Sequence, residues 1–202
     1  MIPEMMFLKS AENRETFFAR IKRLFPCSDQ RYILIERAYD TAKDEFKQFY
    51  RESGERYFEH LRRVTIIAID YLYVTDYHMI AACLLHDIVE DIKSWTVEKV
   101  RLSFGEEVAC LVDWLTKTDK TIYHERFINA PREFFLIKLP DRLDNLLTLW
   151  DCSPAKVRRK IKETRGHYLP FAKKHLILPH EIEKALLELE KNPQLWGVKS
   201  KR

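Results

Sequence analysis

The stretch from Ala81 to Asp91, Ala-Ala-Cys-Leu-Leu-His-Asp-Ile-Val-Glu-Asp, constrains the fold more strongly than any other part of the sequence. Its apolar first half is typical of a buried helix, yet it ends with His86, Asp87, Glu90 and Asp91. Burying imidazole and carboxylate groups costs free energy unless a cation or a hydrogen-bond network compensates them. A bound metal ion is the simplest compensation, so the stretch predicts a metal site at the end of a core helix.

The composition favours a single all-α domain. The chain has 202 residues, of which 46% are hydrophobic and 33% charged, with only four glycines. This length suits one domain with a sizeable core. Apolar residues at helical spacing, together with capping residues such as Ser10 and Asp29, predict the helices. These cover residues 10–25, 28–51, 57–73, 76–89, 96–104, 106–117, 131–145, 153–165 and 180–191.

Charge and cysteine content limit the possible partners and compartments. The 35 basic and 31 acidic residues give a formal charge of +4, which makes nucleic acid an unlikely partner but suits a small polyanionic substrate. The four cysteines form no Cys-x-x-Cys pair, which predicts buried free thiols in a reducing cytoplasm. The sequence has neither a long apolar run nor a signal-peptide pattern, so we expect no membrane association or export.

Four candidate metal ligands lie on three predicted helices: His60, the adjacent pair His86 and Asp87, and Asp141. Two imidazoles and two carboxylates form a nitrogen and oxygen set that suits Mn²⁺, Fe²⁺ or Mg²⁺, with Zn²⁺ also possible. Such a site has open positions for water and phosphate oxygens. Glu90 follows His86 by four residues, so a continuous helix would place it on the same side, where a carboxylate can orient or deprotonate water.

These residues resemble the H…HD…D signature of the HD-domain phosphohydrolases, an all-helical superfamily. The similarity is greater to the hydrolase domain of RelA/SpoT homologues, which remove the 3′-pyrophosphate from ppGpp and pppGpp. Arg51–His60 is similar to that family's R-x-S-G-E-x-Y-x-x-H, and Leu84–Asp91 to its L-L-H-D-V-V-E-D. Further matches, in the family order, are Leu115–Lys117, Ile137–Asn145 and Glu163–Ala172.

The resemblance implies a role for each matching residue. It implies that His60, His86, Asp87 and Asp141 bind the metal, usually manganese, and that Glu90 and Asp91 handle the water. It also implies substrate contacts by Arg51 and Ser53 on the guanine side, and by Lys117, Arg142, Asn145 and Thr148 elsewhere. An alternative role for Arg142 is to orient Asp141 or to pair with a buried carboxylate.

Several positions depart from the family pattern. Glu52 replaces a basic residue, Leu61 and Pro140 replace proline and alanine, and Leu147 stands where arginine is frequent. Asp144 stands where the family usually has histidine. Asp144 either adds negative charge near the metal or shifts the pocket away from guanosine, and the sequence does not decide between these alternatives.

The resemblance predicts a small alarmone hydrolase that converts ppGpp to GDP and pyrophosphate. Within one domain, residues 1–50 form N-terminal helices packed on the core, 51–172 the HD hydrolase core, and 173–202 a C-terminal helix and tail. One alternative is an HD phosphohydrolase for another phosphate ester, such as a nucleoside phosphate or NADPH. A second is a low-turnover regulatory or antitoxin module that binds a nucleotide or a protein partner.

Overall fold

The computed structural model describes residues 12–117, 119, 122–150 and 152–191, and these residues form helices and turns with no β-strand. This confirms the all-α prediction. The α-helices are α1 Arg14–Leu24, α2 Gln30–Glu45, α3 Tyr57–Ile66, α4 Tyr77–Leu85, α5 Ile88–Asp91, α6 Val97–Phe104, α7 Glu106–Leu115, α8 Arg132–Leu147, α9 Pro154–Glu163, α10 Leu169–His175 and α11 Pro179–Glu190. Buried apolar residues from all regions of the described chain pack into one hydrophobic cluster.

The first two helices begin and end differently from the prediction. The Asn13 side chain caps α1 by accepting a hydrogen bond from the Thr16 backbone N–H at 2.9 Å. The predicted cap Ser10 lies outside the described residues. Helix α2 ends at Glu45, so the predicted extension to Arg51 is wrong.

Arg51 lies in the loop between α2 and α3. The Arg51 N–H donates to the Glu55 carbonyl at 2.8 Å, and an isolated antiparallel bridge joins Tyr50 to Arg56. Gly54 adopts φ +81°, a conformation that glycine tolerates better than other residues. This tight turn replaces the predicted last helical turns and places Arg51 near the start of α3.

Helices α3, α4 and α8 form the part of the core that carries the candidate site. Helix α4 packs against α2, α3, α7 and α8, and it is buried from Met79 to Leu85. Its apolar composition therefore reflects contacts on several sides. Helix α3 packs against α8 and continues into a π-helical turn at Ile67–Tyr71. The ends and faces of these three helices bring distant polar residues together.

The remaining elements enclose this core. A 3₁₀ helix at Tyr123–Ile128 precedes α8, which continues through Pro140, and a π-helical turn at Thr164–Tyr168 joins α9 to α10.

Within the described ranges, no helix is long and apolar enough to span a bilayer. All four cysteines are described and free, but only Cys83 is buried, so the prediction of buried thiols is wrong for the exposed Cys27 and Cys110.

Candidate metal centre and its two cavities

The four predicted metal ligands converge in the core. His60 comes from α3, His86 and Asp87 follow α4, and Asp141 lies within α8. His60 Nε2 lies 3.3 Å from Asp141 Oδ1 and 3.8 Å from Asp87 Oδ2. His86 Nε2 lies 3.1 Å from Asp87 Oδ2 and 3.9 Å from Asp141 Oδ1. The ligand atoms of His60, His86 and Asp141 all lie within 4.8 Å of one another.

His86 supplies the strongest indication that this cluster suits a cation. Its Nδ1 contacts the Cys83 carbonyl oxygen at 2.8 Å, an arrangement in which Nδ1–H donates and Nε2 is the nitrogen that can offer a lone pair to a metal ion. The buried Nε2 has no hydrogen-bond partner among the described residues. Since Nε2 and the oxygens of Asp87 and Asp141 are all electron-pair donors, a positive charge between them would satisfy all three. The donor set fits a divalent metal ion.

Neighbouring side chains hold the two ligand carboxylates in place. The Tyr57 hydroxyl donates to Asp87 Oδ2 at 2.6 Å. Lys138 Nζ pairs with Asp141 Oδ2 at 2.8 Å, and Asn145 Nδ2 donates to Asp141 Oδ1 at 2.5 Å. The sequence interpretation gave no role to Tyr57 or Lys138. The position of Lys138, one helical turn before a predicted buried carboxylate, was the signal that could have identified it.

The electrostatics of the cluster are strongly coupled. Burial raises the pKa of Asp141, but Lys138, His60 and His86 together outweigh burial and hold the pKa well below its usual range. Burial also raises the pKa of Asp87, and the neighbouring His86 reverses that effect. Burial lowers the pKa of His86, whereas the Asp87 carboxylate raises it more strongly, to about 9. A metal ion bound among these side chains would take the place of the proton that the carboxylates favour on His86.

The two predicted water-handling residues follow a break in the helix. Helix α4 ends at Leu85, and Asp87 has φ −102° and ψ 0° before the short helix α5. The expectation that His86 and Glu90 share one continuous helical face is therefore wrong. Glu90 Oε1 lies 3.4 Å from Lys117 Nζ. Partial burial and the charges of Asp87 and Glu90 raise the pKa of Asp91 to about 6.

A cavity of about 310 Å³ is lined by four of the predicted substrate residues, namely Arg51, Ser53, Asn145 and Thr148. Tyr57 also lines it. Two lining residues of this cavity, Tyr57 and Asn145, therefore also donate hydrogen bonds to Asp87 and Asp141, respectively. Arg51 donates to Asn145 Oδ1 at 2.7 Å. Glu52 lies on the same rim and pairs with Lys156 at 2.8 Å. The negative charge of Glu52, where the family pattern has a basic residue, is thus balanced by Lys156 of α9.

A second cavity, of about 670 Å³, is lined by Glu90 and by the predicted substrate residue Lys117. Its other charged lining residues are Arg159, Lys160, Lys162 and Glu163. Four cations against two carboxylates give this wall a positive balance, which suits an anionic group. Tyr123 also lines the cavity, and the Lys138 ammonium lies 5.6 Å from the centre of its ring.

Arg142 is not one of the described residues that line either cavity, in contrast to its predicted substrate contact. The side chain is only 3% exposed, and its guanidinium lies 3.7 Å from the centre of the Tyr168 ring. Arg142 Nη1 also pairs with Glu163 Oε2 at 3.1 Å. These contacts bury Arg142, and this explains why it does not line a cavity. Arg142 instead supports the wall of the larger cavity by pairing with the carboxylate of Glu163.

Asp144 adds negative charge near the predicted metal site, which was the first of the two alternatives, but its carboxylate does not face the ligand cluster. It is 1% exposed, and its Oδ2 lies 2.6 Å from His60 Nδ1, the ring nitrogen opposite the one that faces the ligand cluster. Asp144 therefore lies behind a metal ligand, where it contacts neither the centre of the cluster nor the open space of the smaller cavity.

Metal binding should stabilise the folded chain. We expect Mn²⁺ at one hundred times its dissociation constant to stabilise the protein by about 2.7 kcal/mol, because the folded state alone holds the complete ligand set. Thermal unfolding with Mn²⁺ and with a chelator measures the shift. The shift should be lost in His86→Gln and kept in His78→Gln. His78 is a half-buried histidine on α4, the helix that ends directly before His86. Equal shifts in both variants would indicate binding elsewhere.

Known proteins share this fold and parts of this sequence. A family model described as HD domain matches residues 38–133. A guanosine-3′,5′-bis(diphosphate) 3′-pyrophosphohydrolase of Aquifex aeolicus is 37% identical over 148 residues, which cover 68% of this chain and 21% of that protein. The bifunctional (p)ppGpp synthase/hydrolase SpoT of Escherichia coli is 33% identical over 168 residues, covering 77% and 23%. The chain thus spans about a fifth of the length of these relatives.

A solved structure shares the fold. It belongs to a metazoan orthologue of SpoT, described as hydrolysing ppGpp, and superposes with a TM-score of 0.60 at 23% identity, covering 82% of this chain and 96% of that one. Residues 38–133 thus match the HD domain, and the helical fold and the convergence of the four predicted ligand side chains agree with that match.

Proposed function

We propose that this chain is a metal-dependent hydrolase that removes the 3′-pyrophosphate from guanosine 3′,5′-bis(diphosphate) or its pentaphosphate counterpart, giving GDP or GTP. The observation that carries the proposal is the buried cluster of His60, His86, Asp87 and Asp141, together with one cavity lined by residues that support its carboxylates and a second, cationic cavity lined by Glu90. The sequence similarity to enzymes named for this reaction supports the choice of substrate.

The ligand set supports manganese as the metal. Two imidazoles and two carboxylates suit Mn²⁺, while Fe²⁺, Mg²⁺ and Zn²⁺ have related preferences. When bound, such an ion supplies positive charge that neutralises a phosphoryl group and lowers the pKa of water. His60, His86, Asp87 and Asp141 would hold it, and Lys138, Tyr57 and Asn145 would keep the carboxylates oriented.

Asp91 and Glu90 are the proposed groups that handle the attacking water. A pKa of about 6 leaves Asp91 largely ionised at neutral pH, and it can then accept a proton. The water oxygen forms a bond to the phosphorus attached to the ribose 3′ oxygen, and the bond between that phosphorus and the 3′ oxygen breaks. The 3′ oxygen takes up a proton, so the products are a free 3′ hydroxyl and pyrophosphate. Lys117 holds Glu90 beside this path.

The two cavities suit the two ends of this substrate. We place the guanosine part in the smaller cavity, where Arg51, Ser53, Asn145 and Thr148 supply polar groups. The departing pyrophosphate would lie toward the larger cavity, where Lys117 and Lys160 contribute positive charge. Burial and the charge of Arg142 lower the pKa of Lys160, and a bound phosphate group would favour its protonated form.

The proposed compartment is the reducing cytoplasm. The four cysteines are free, and two of them are exposed, which is a stable condition only where disulfides are not favoured. The proposed partner is the small polyanionic nucleotide itself.

A substrate comparison tests this proposal. Purified protein with Mn²⁺ should release pyrophosphate from ppGpp with a higher kcat/KM than it shows for NADPH or for simple nucleoside phosphates. The charge distribution predicts this ranking, because only ppGpp presents a pyrophosphate on each side of the ribose. Faster orthophosphate release from the other esters would favour a different phosphohydrolase. Nucleotide binding without any turnover would favour the regulatory module.

A further inference from the structure

Asp144 makes the shortest contact to the metal-binding histidine of α3. Its Oδ2 lies 2.6 Å from His60 Nδ1, and both side chains are 1% exposed. The other ring nitrogen, Nε2, lies 3.3 Å from Asp141 Oδ1 and belongs to the ligand cluster. The His60 ring therefore lies between the Asp144 carboxylate, on its Nδ1 side, and the predicted metal site, on its Nε2 side.

Two arginines hold Asp144 in this position. Arg63 Nε donates to Asp144 Oδ1 at 2.6 Å, and Arg51 Nη1 pairs with Oδ2 at 2.9 Å. Arg63 is itself fixed from the opposite side by Glu55, at 2.8 Å from Nη2. Since both oxygens of Asp144 are occupied by these donors and by His60, the carboxylate is not available as a further metal ligand.

We propose that Asp144 is a positioning residue for the metal site and that Arg63 fixes it in place. By accepting a hydrogen bond from His60 Nδ1–H, Asp144 holds the tautomer whose lone pair is on Nε2, and it fixes the ring orientation. The carboxylate also makes the imidazole a stronger donor and offsets the charge of the two arginines behind it. This inference rests on the metal requirement of the proposed function and is independent of the substrate.

Arg51 extends this support to the smaller cavity. It contacts Asp144 with one guanidinium nitrogen and Asn145 with the other, and Asn145 donates to Asp141. Arg51, which lines the smaller cavity, thus contacts both the side chain that supports His60 and the side chain that supports Asp141. The ligand set and the proposed guanosine pocket are built on shared contacts.

Mn²⁺ titration of the purified protein, followed by calorimetry without any nucleotide, tests the proposal. In Asp144→Asn the amide keeps the shape of the side chain but loses its charge, and the dissociation constant should rise about 10- to 100-fold. The matched control is Asp70→Asn. Asp70 follows α3 directly and pairs with Arg20 at 2.6 Å, away from the ligand cluster, so its loss should leave Mn²⁺ affinity unchanged. Unchanged affinity in folded Asp144→Asn would overturn the proposal.

A double variant separates positioning from general destabilisation. Asp144→Asn leaves the largely buried Arg63 guanidinium paired with Glu55 but without the Asp144 carboxylate, and adding Arg63→Gln removes the positive charge that Asp144 had offset. The double variant should fold at least as well as Asp144→Asn and recover part, but not all, of the lost Mn²⁺ affinity. If it binds Mn²⁺ as tightly as the wild type, Asp144 does not position His60. Because no substrate is present, failure of the proposed hydrolysis would not affect this result.

Discussion

Replacing Asp87 by alanine should abolish pyrophosphate release from ppGpp. The Asp87 Oδ2 atom lies 3.1 Å from His86 Nε2 and 3.8 Å from His60 Nε2, so the substitution removes a ligand atom that faces both histidines. Loss of a partner that merely orients a ligand costs about 10- to 100-fold in activity or metal affinity, and loss of the ligand itself should exceed that range. Steady-state pyrophosphate release at saturating Mn²⁺ measures the effect.

Tyr57→Phe provides the matched control for this experiment. It removes only the hydroxyl that donates to Asp87, while the ring can keep its stacked contact with Phe46 at 5.1 Å between centroids. We expect a loss within about 10- to 100-fold, clearly smaller than that of Asp87→Ala. If folded Asp87→Ala retains wild-type turnover, Asp87 has no role in the reaction. If Tyr57→Phe loses as much activity as Asp87→Ala, the hydroxyl has a direct part in the chemistry.

Replacing Lys138 by methionine should cause the largest loss of stability. Lys138 is 1% exposed and pairs with the buried Asp141 at 2.8 Å. Removing one partner of a buried pair leaves the other charge uncompensated and costs about 3–5 kcal/mol. Denaturant unfolding in the presence of a chelator gives the free energy of unfolding. Mn²⁺ should restore part of the loss, because a cation at Asp141 supplies positive charge to the same carboxylate.

The control for Lys138 is an exposed lysine in a comparable ion pair. Lys173 pairs with Glu183 at 3.2 Å, and its side chain is 55% exposed. Lys173→Met should change stability by no more than about 1 kcal/mol, since solvent screens exposed pairs. Equal destabilisation by the two substitutions, or no rescue of Lys138→Met by Mn²⁺, would contradict the proposed electrostatic arrangement.

The four candidate ligands could be identified from the sequence because those residues occur in short local patterns. The His86–Asp87 pair ends an apolar run, and the Ile137–Asn145 segment carries Asp141 at a recognisable position. Helical periodicity likewise identified most helices, since each core helix buries a regular face. The same periodicity did not reveal the end of α2 at Glu45 or the break at Asp87, where tertiary contacts and turn geometry decide the backbone.

The supporting contacts could not be predicted from local patterns. Asp144 pairs with Arg63 and Arg51, which lie 81 and 93 residues away along the chain. Nothing in either segment alone indicates that the charges meet, and so Asp144 was considered only for the metal and the pocket. Arg142 was likewise assigned to substrate from the family resemblance, although it directly follows Asp141 and successive helix positions point in different directions. Its contacts with Glu163 and Tyr168 required the packed structure.

The products formed from ppGpp by the wild-type protein with Mn²⁺ test the central claim most directly. GDP and pyrophosphate, separated and quantified from the same reaction, should appear in equal amounts, and both should disappear when a chelator removes the metal. That result would locate the broken bond at the ribose 3′ oxygen. Formation of orthophosphate without pyrophosphate, or an intact nucleotide after incubation with metal-loaded protein, would contradict the claim that this cluster hydrolyses the 3′-pyrophosphate.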